Sequence, residues 1–230
     1  MKKLIATLAV LASASTNAAQ LDIEITNLTR GSFFTPLLVA AHTPGANLFT
    51  SATPASANLQ AMAEGGDTSL LIAASAASDV TTDNLASGLL APAGSTPVTS
   101  IDTAANTHLS VVAMMLPTND GFIGLDSWEI PTEVGTYTVY LNGYDAGTEV
   151  NDEIINGAGA PGVLGIPGAP GMDAGTGATG VTDMESNTTV HIHRGNTGDT
   201  SLTAGISDVD SRIHRWLNPV AKVVEIGRAS

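Results

Sequence analysis

The clearest pattern in the chain is an alternation of apolar and polar residues over positions 20–27, QLDIEITN. Successive side chains of a β-strand point to opposite faces, so a period of two indicates a strand with one face buried. A more uniformly apolar run follows at residues 37–41, and further candidate strands lie at residues 98–103, 108–116, 136–141 and 220–226. With the alternating TTVHIHR at residues 188–194, they predict about eight strands, enough for a two-sheet sandwich.

Two segments between the predicted strands carry helix signals instead. Residues 56–63 and 67–77 begin at Ser56 and Asp67, which are good helix caps, and Gly65-Gly66 separates them. Residues 208–216 are expected to form one or two further helical turns. The sequence therefore predicts an all-β, antiparallel sandwich with short helical insertions.

A Gly/Pro-rich segment at residues 156–180 interrupts the pattern of strands. Its glycines recur at every third position from Gly159 to Gly171, as in collagen, but the register breaks at Ala174. A short run with a broken period predicts a mobile or polyproline-like surface loop rather than a triple helix. Because the segment has few apolar residues, we expect that it can be shortened without unfolding the domain.

The N-terminus has the pattern of a secretory signal peptide. Lys2 and Lys3 precede an apolar run at residues 4–14, and small residues follow up to Ala19. The run is too short to span a membrane, and no other run approaches that length. We predict a signal peptide over residues 1–19, one domain over residues 20–230, a secreted or periplasmic location, and a mature chain without a transmembrane segment.

The charge of the chain excludes some partners. It has 22 acidic and 8 basic residues and a formal net charge of −14, and losing Lys2 and Lys3 with the leader makes this −16. A strongly negative protein is repelled by nucleic acids and anionic membranes. The chain has no cysteine, which excludes disulfides, thiolate metal sites and cysteine nucleophiles.

Two of the apolar runs each lead into an acidic loop. Asp120 follows the run that ends at Leu116, and Asp145 and Glu149 follow the run that ends at Leu141. Loops that each follow a strand lie at one edge if the chain crosses the sandwich once between them, and we expect residues 124–135 to cross it. The three carboxylates could then converge as hard oxygen ligands, which suit calcium, although no EF-hand loop is present.

Other chemistries receive less support from the sequence. His191 and His193 lie on one face of a predicted strand and could share a metal, but no third ligand stands at a useful spacing, so structural or surface histidines are favoured. There is no Gly-x-Ser-x-Gly elbow and no phosphate-binding loop with its lysine. Aromatic residues make up 4% of the chain, which leaves few platforms for sugar stacking in a carboxylate glycosidase.

The acidic loops also carry a family resemblance. PTNDGFIG at residues 117–124 and YDAGTE at residues 144–149 resemble the N-terminal domain of the spondins, and most of all its bacterial relatives. The resemblance covers most of residues 20–226. It implies a C2-like β-sandwich with calcium held at one end by Asp120, Asp145 and Glu149, where Glu149 replaces a frequent aspartate. The chain lacks the disulfides of animal members.

The resulting expectation is an exported, calcium-binding β-sandwich module for extracellular or envelope binding or adhesion. Calcium is its expected cofactor, and an extracellular protein or glycan is its expected partner. We do not expect an enzyme. The alternative is an extracytoplasmic hydrolase that uses a metal or a pair of carboxylates, and it would require a pocket with a perturbed acid or histidine beside the metal.

Overall fold

A computed structural model of the protein describes residues 19–228, so the predicted signal peptide lies outside the described residues except for Ala19. The described part is mostly antiparallel β-structure with two short helices. In chain order the elements are β1 Gln20–Asn27, β2 Phe33–Phe34, β3 Leu38–His42, α1 Ala57–Gly65, α2 Ser69–Ala74, β4 Val80–Thr82, β5 Thr99–Asp102, β6 His108–Leu116, β7 Gly121–Glu129, β8 Gly135–Asp145, β9 His191–Ile192 and β10 Ala221–Arg228.

The strands form one continuous, strongly curved sheet. Its order is β4-β3-β6-β7-β8-β10-β1-β5, and β2 and β9 add to β6 and β8. Every pairing between these strands is antiparallel. Isolated bridges join Thr26 to Ser95 and Phe34 to Leu90, which brings the sheet nearly to closure. The fold is therefore sandwich-like, as the sequence predicts.

The central strand β6 separates two apolar clusters. Four of its residues point into the interior of the sheet, and three residues that alternate with them point to the outer face beneath α1. A strand that is covered on both faces needs apolar side chains at consecutive positions, which explains why HLSVVAMML does not alternate. The inward residues are Leu109, Val111, Ala113 and Met115, and the outward residues are Val112, Met114 and Leu116.

Helix α1 begins where the sequence predicts it. The Ser56 hydroxyl accepts a hydrogen bond from the Leu59 backbone N–H at 3.1 Å, and Gly66 ends the helix in the left-handed conformation. Helix α2 is shorter than predicted, with Thr68 rather than Asp67 at its N-cap. Residues 208–216 form turns rather than a helix. No helix in the described part of the chain is long and apolar enough to cross a membrane.

Two expectations about connections were wrong. Residues 124–135 do not cross the sandwich, because half of them belong to β7, which pairs with both β6 and β8. The glycines and Asp126 interrupt the apolar pattern of GFIGLDSWE, so the sequence does not indicate this strand. The Gly/Pro-rich segment is not a free surface loop either, because Ile166 is fully buried and packs with Ile155 and Val209.

Candidate functional site

Strand β7 brings the two acidic loops to the same edge of the sheet. Strands β6 and β8 run in the same direction on either side of β7, so the loop after β6 and the end of β8 meet. Gly121 pairs with Asp145 in the β7–β8 register, and the Ala146 N–H donates to the Asp120 carbonyl oxygen at 3.2 Å. Asp120 and Asp145 therefore lie side by side, and Glu149 follows in the same loop.

Asp120 and Glu149 each use one carboxylate oxygen to hold the loops. Asp120 Oδ2 accepts hydrogen bonds from the N–H groups of Thr148 and Glu149 at 2.8 and 3.1 Å, and from the Thr148 hydroxyl at 3.2 Å. Glu149 Oε2 accepts from the Gly165 N–H at 3.2 Å and from Asn119 Nδ2 at 3.4 Å. Within the described residues, Asp120 Oδ1 and Glu149 Oε1 are buried without a hydrogen-bond partner.

Asp145 differs from these two residues because both of its oxygens are occupied. Oδ1 accepts from the Gly147 N–H and Oδ2 from Asn151 Nδ2, each at 2.8 Å. His191 Nε2 lies 3.8 Å from Oδ2. The exposed fractions of Asp120, Asp145 and Glu149 are 0, 2 and 4%, so all three predicted carboxylates are almost fully removed from water.

The electrostatics of the site reflect this burial. Burial, followed by the charge of Asp145, raises the pKa of Asp120 to about 7. Burial also raises the pKa of Glu149 to about 8. The hydrogen bond from Gly165 opposes this rise, and the charges of Glu64 and Asp120 add to it. No salt bridge with a lysine or arginine is found for Asp120 or Glu149 within residues 19–228, so no such cation compensates their charges.

The two histidines lie near Asp145, and the Nδ1 atom of each is engaged by the backbone. His191 Nδ1 lies 2.7 Å from the Thr189 carbonyl oxygen, to which it can only donate. His193 Nδ1 accepts from the Gly195 N–H at 2.9 Å, which leaves its buried Nε2 carrying the proton in the neutral ring. Burial lowers the pKa of His193 to about 4, so the neutral form dominates at pH 7.

The donor set fits a hard cation better than a soft one. Across residues 19–228, no group of three or more His, Cys, Asp or Glu side chains is placed so that it could hold a metal ion. The free oxygens of Asp120 and Glu149 are two carboxylate donors, and further ligands would have to be neutral oxygens. Calcium accepts such mixed shells, whereas zinc favours thiolate and imidazole.

Several residues around the site were missed by the sequence analysis. Asn119 bridges the loops, since its Nδ2 also donates to Asp152 Oδ1 at 2.9 Å. The position of Asn119 next to Asp120 in the sequence could have indicated its role. Glu64 on α1 and Gly165 carried no signal, because their contacts with Glu149 span a large sequence separation.

Comparison with known proteins identifies the family. The family model described as Spondin_N matches residues 26–152, more than half of the chain, and the match includes Asp120, Asp145 and Glu149. It ends before the Gly/Pro-rich segment. A comparison with curated proteins gives no match. The chain therefore belongs to the Spondin_N family, which suggests an extracellular type of domain.

Proposed function

We propose that the protein is an exported, calcium-binding β-sandwich module that binds a partner outside the cytoplasm. One observation carries the calcium assignment: Asp120 Oδ1 and Glu149 Oε1 are both buried without a hydrogen-bond partner. A buried carboxylate oxygen without a partner is costly, and a bound cation supplies what is missing.

Calcium suits this position better than magnesium. It takes six to eight oxygen ligands in a flexible arrangement, whereas magnesium demands a near-ideal octahedron and gives up water reluctantly. Asp120 and Glu149 would hold the ion, and the charge of Asp145 would add to the attraction. A cation between the two loops would also remove the repulsion that raises the pKa of Asp120.

The binding role follows from the family and from what the ion does to the loops. Spondin_N membership suggests an extracellular type of domain. Loops that are fixed on a rigid sheet are a common base for recognition. An ion that joins the loops after β6 and β8 would present them as one stable surface to an extracellular protein or glycan.

Calorimetric titration of the chain with calcium tests the assignment. We expect saturable binding with a Kd on the order of 10⁻⁴ to 10⁻³ M, as in extracellular modules. Asp120→Asn and Glu149→Gln should abolish the signal. Glu129→Gln is the matched control, because Glu129 is exposed at the opposite end of β7. Equal binding by Glu149→Gln and Glu129→Gln would rule out the site.

A carboxylate-based or metal-assisted hydrolase is the second candidate, and the raised pKa values of Asp120 and Glu149 favour it. A carboxyl group that is protonated near pH 7 can act as a general acid. Burial counts against this function, since a substrate would reach these side chains only if the loops moved. Hydrolysis of chromogenic esters or glycosides that is lost in Glu149→Gln would establish it.

A further inference from the structure

The period-three glycines of the Gly/Pro-rich segment have a structural use. We define residues 157–168 as the glycine strap. The Gly162 N–H donates to Glu64 Oε2 at 2.6 Å, and the Gly165 N–H donates to Glu149 Oε2 at 3.2 Å. A Cβ atom at Gly65 would collide with the carbonyl oxygen of Gly159. Three successive glycines of the repeat thus lie against α1 or the acidic site.

The strap joins two buried carboxylates that belong to different parts of the fold. Glu64 lies at the end of α1 and is fully buried, with its Oε1 accepting from Gln60 Nε2 at 2.8 Å. Glu149 lies in the loop after β8. The charge of Glu64 is close enough to add to the effect of burial on the pKa of Glu149, so the two carboxylates repel each other.

The two ends of the strap are held differently. At its C-terminal end, Ile166 packs with Ile155 and Val209 and pairs with Ile155 in a short parallel bridge. Further toward the N-terminus, the strap exposes Val163 and Leu164 and contacts α1 through backbone groups. The C-terminal end is therefore anchored by apolar packing, whereas the rest is held by hydrogen bonds with Asn156 and with the carboxylates of Glu64 and Glu149.

We propose that the glycine strap is coupled to the cation site: divalent cation binding at Asp120 and Glu149 and docking of the strap on Glu64 and Glu149 strengthen each other. The inference rests on the proposed calcium site and extends it beyond the matched family region. A cation on the free Oε1 would fix the Glu149 side chain whose Oε2 accepts from the Gly165 N–H, so the ion and the strap would hold the same carboxylate from two sides. The ion also screens Glu149 from Glu64. Because coupling is reciprocal, a docked strap must raise the cation affinity.

Amide hydrogen exchange of the full chain, followed by NMR with and without calcium, tests the coupling. We expect exchange at Gly162 and Gly165 to slow by about tenfold at saturating calcium, the equivalent of a modest coupling free energy. Calcium binding measured by calorimetry without any change at these amides would overturn the coupling and leave the calcium site standing. Absence of calcium binding would overturn both.

Two variants separate the coupling from a purely structural role. Glu64→Gln keeps a hydrogen-bond acceptor for Gly162 but removes the charge, so we expect calcium binding to weaken about three- to tenfold while the calcium-free protein melts at a higher temperature. A structural residue would not give these opposite changes. Loss of stability with unchanged calcium affinity would contradict the proposed role of Glu64.

Gly65→Ala tests the steric contact. The added Cβ would push the strap from α1, while a helical Ala is otherwise favourable. We expect the calcium-dependent protection of Gly162 and Gly165 to disappear and calcium affinity to fall. Gly45→Ala is the control, because nothing lies within 4 Å of a Cβ at that position. Identical protection and affinity in the two variants would refute docking of the strap as the coupled element.

Discussion

Two groups of buried loop carboxylates in this protein differ in how their oxygens are used. At the acidic end, Asp120 and Glu149 each leave one oxygen without a partner. The C-terminal loops supply partners to a second group: Glu153 accepts from the N–H groups of Thr197 and Gly198 and from the Ser207 hydroxyl, so both of its oxygens are used.

Asp208 is the clearest example of a satisfied carboxylate in those C-terminal loops. Its Oδ1 accepts from the Thr176 N–H and hydroxyl and from the Ala178 N–H, and its Oδ2 accepts from the Ile155 N–H. Burial opposes ionisation, but these hydrogen bonds outweigh it and lower the pKa of Asp208. The filled set of acceptors explains the structural role of Asp208, whereas Asp120 and Glu149 each keep one buried oxygen that a ligand could use.

The largest expected effect tests Asp208, whose two oxygens are both hydrogen-bonded. Asp208→Asn places an NH₂ group among backbone donors, and we expect a loss of about 3 kcal/mol of unfolding free energy, the scale for breaking a buried, charged network. The melting temperature should fall by roughly 6–12 °C in a chain of this size. The calcium-induced rise in melting temperature should stay unchanged. Thermal melts in chelator and in calcium measure both quantities.

The exposed Asp126→Asn is the control for that experiment and should change neither quantity. If Asp208→Asn melts like the wild type, the hydrogen bonds to Asp208 contribute no net stability. If it loses the calcium response instead, the separation between the two groups of carboxylates fails.

The second effect concerns Asp120 and Glu149, the proposed calcium ligands. At a free calcium concentration of about 100 times Kd, binding should stabilise the fold by roughly 2.7 kcal/mol. Magnesium at the same concentration should do less. Asp120→Asn should remove the calcium effect, because it replaces the residue with the free oxygen. Asp145→Asn should also lose most of the calcium effect while keeping the fold, because the charge of Asp145 attracts the ion.

Differential scanning calorimetry with calcium, magnesium and chelator measures these responses. An unchanged calcium response in Asp120→Asn would refute the assignment of the free oxygen. An unchanged response in Asp145→Asn alone would show that the third predicted carboxylate is structural, as its two hydrogen bonds suggest.

The sequence predicted that the two acidic loops meet at one edge, but not the state of their carboxylate oxygens. The loops follow strongly apolar strands and carry the family motifs, so Asp120, Asp145 and Glu149 could be chosen from sequence alone. The partners of each oxygen come from Asn119, from backbone N–H groups and from Gly165. Which oxygen remains free depends on loop conformation, and no residue pattern encodes it.

The Gly/Pro-rich segment shows a similar limit of sequence reasoning. Its composition predicts a dispensable loop, yet Ile166 and Ala169 are buried in apolar clusters. Two apolar residues among many glycines give no periodic signal. Because removing a buried isoleucine leaves a cavity, the structure favours a loss of stability on deletion over the tolerance that the sequence suggests.

A third effect is the pH dependence of the calcium-free protein. The folded-state pKa values of Asp120 and Glu149, about 7 and about 8, lie above the unfolded values. Their contribution is therefore fully present below about pH 4 and is lost as the pH rises through 7 and 8. We therefore expect the free energy of unfolding in chelator to fall as the pH rises from 5 to 8.5.

Urea unfolding across this pH range measures the loss. Glu149→Gln should flatten the curve, and calcium should flatten it as well, because the ion favours the ionised carboxylates. A curve that is identical in wild type and Glu149→Gln would show that Glu149 does not titrate with a raised pKa.

The smallest effect comes from a carboxylate that belongs to neither group. Glu225 on β10 pairs in register with Ile23 on β1 and with Tyr137 near the start of β8, at the opposite end of β8 from Asp145. Both of its oxygens are buried without a hydrogen-bond partner among the described residues, and burial raises its pKa to about 7. It has free oxygens like Asp120 and Glu149, but it lies far from the two acidic loops.

Glu225→Gln should therefore stabilise the protein by about 1 kcal/mol at pH 8 and by almost nothing at pH 5. The reason is that the stabilising contribution of the protonated Glu225 in the wild type is lost as the pH rises through about 7. The gain should be the same in calcium and in chelator. Glu24→Gln on the neighbouring strand, whose side chain is only half-buried, is the control. Urea unfolding of both variants at the two pH values decides the matter. A gain that vanishes in calcium would place a cation at Glu225 as well, and free buried oxygens would then mark more than one metal site on this sheet.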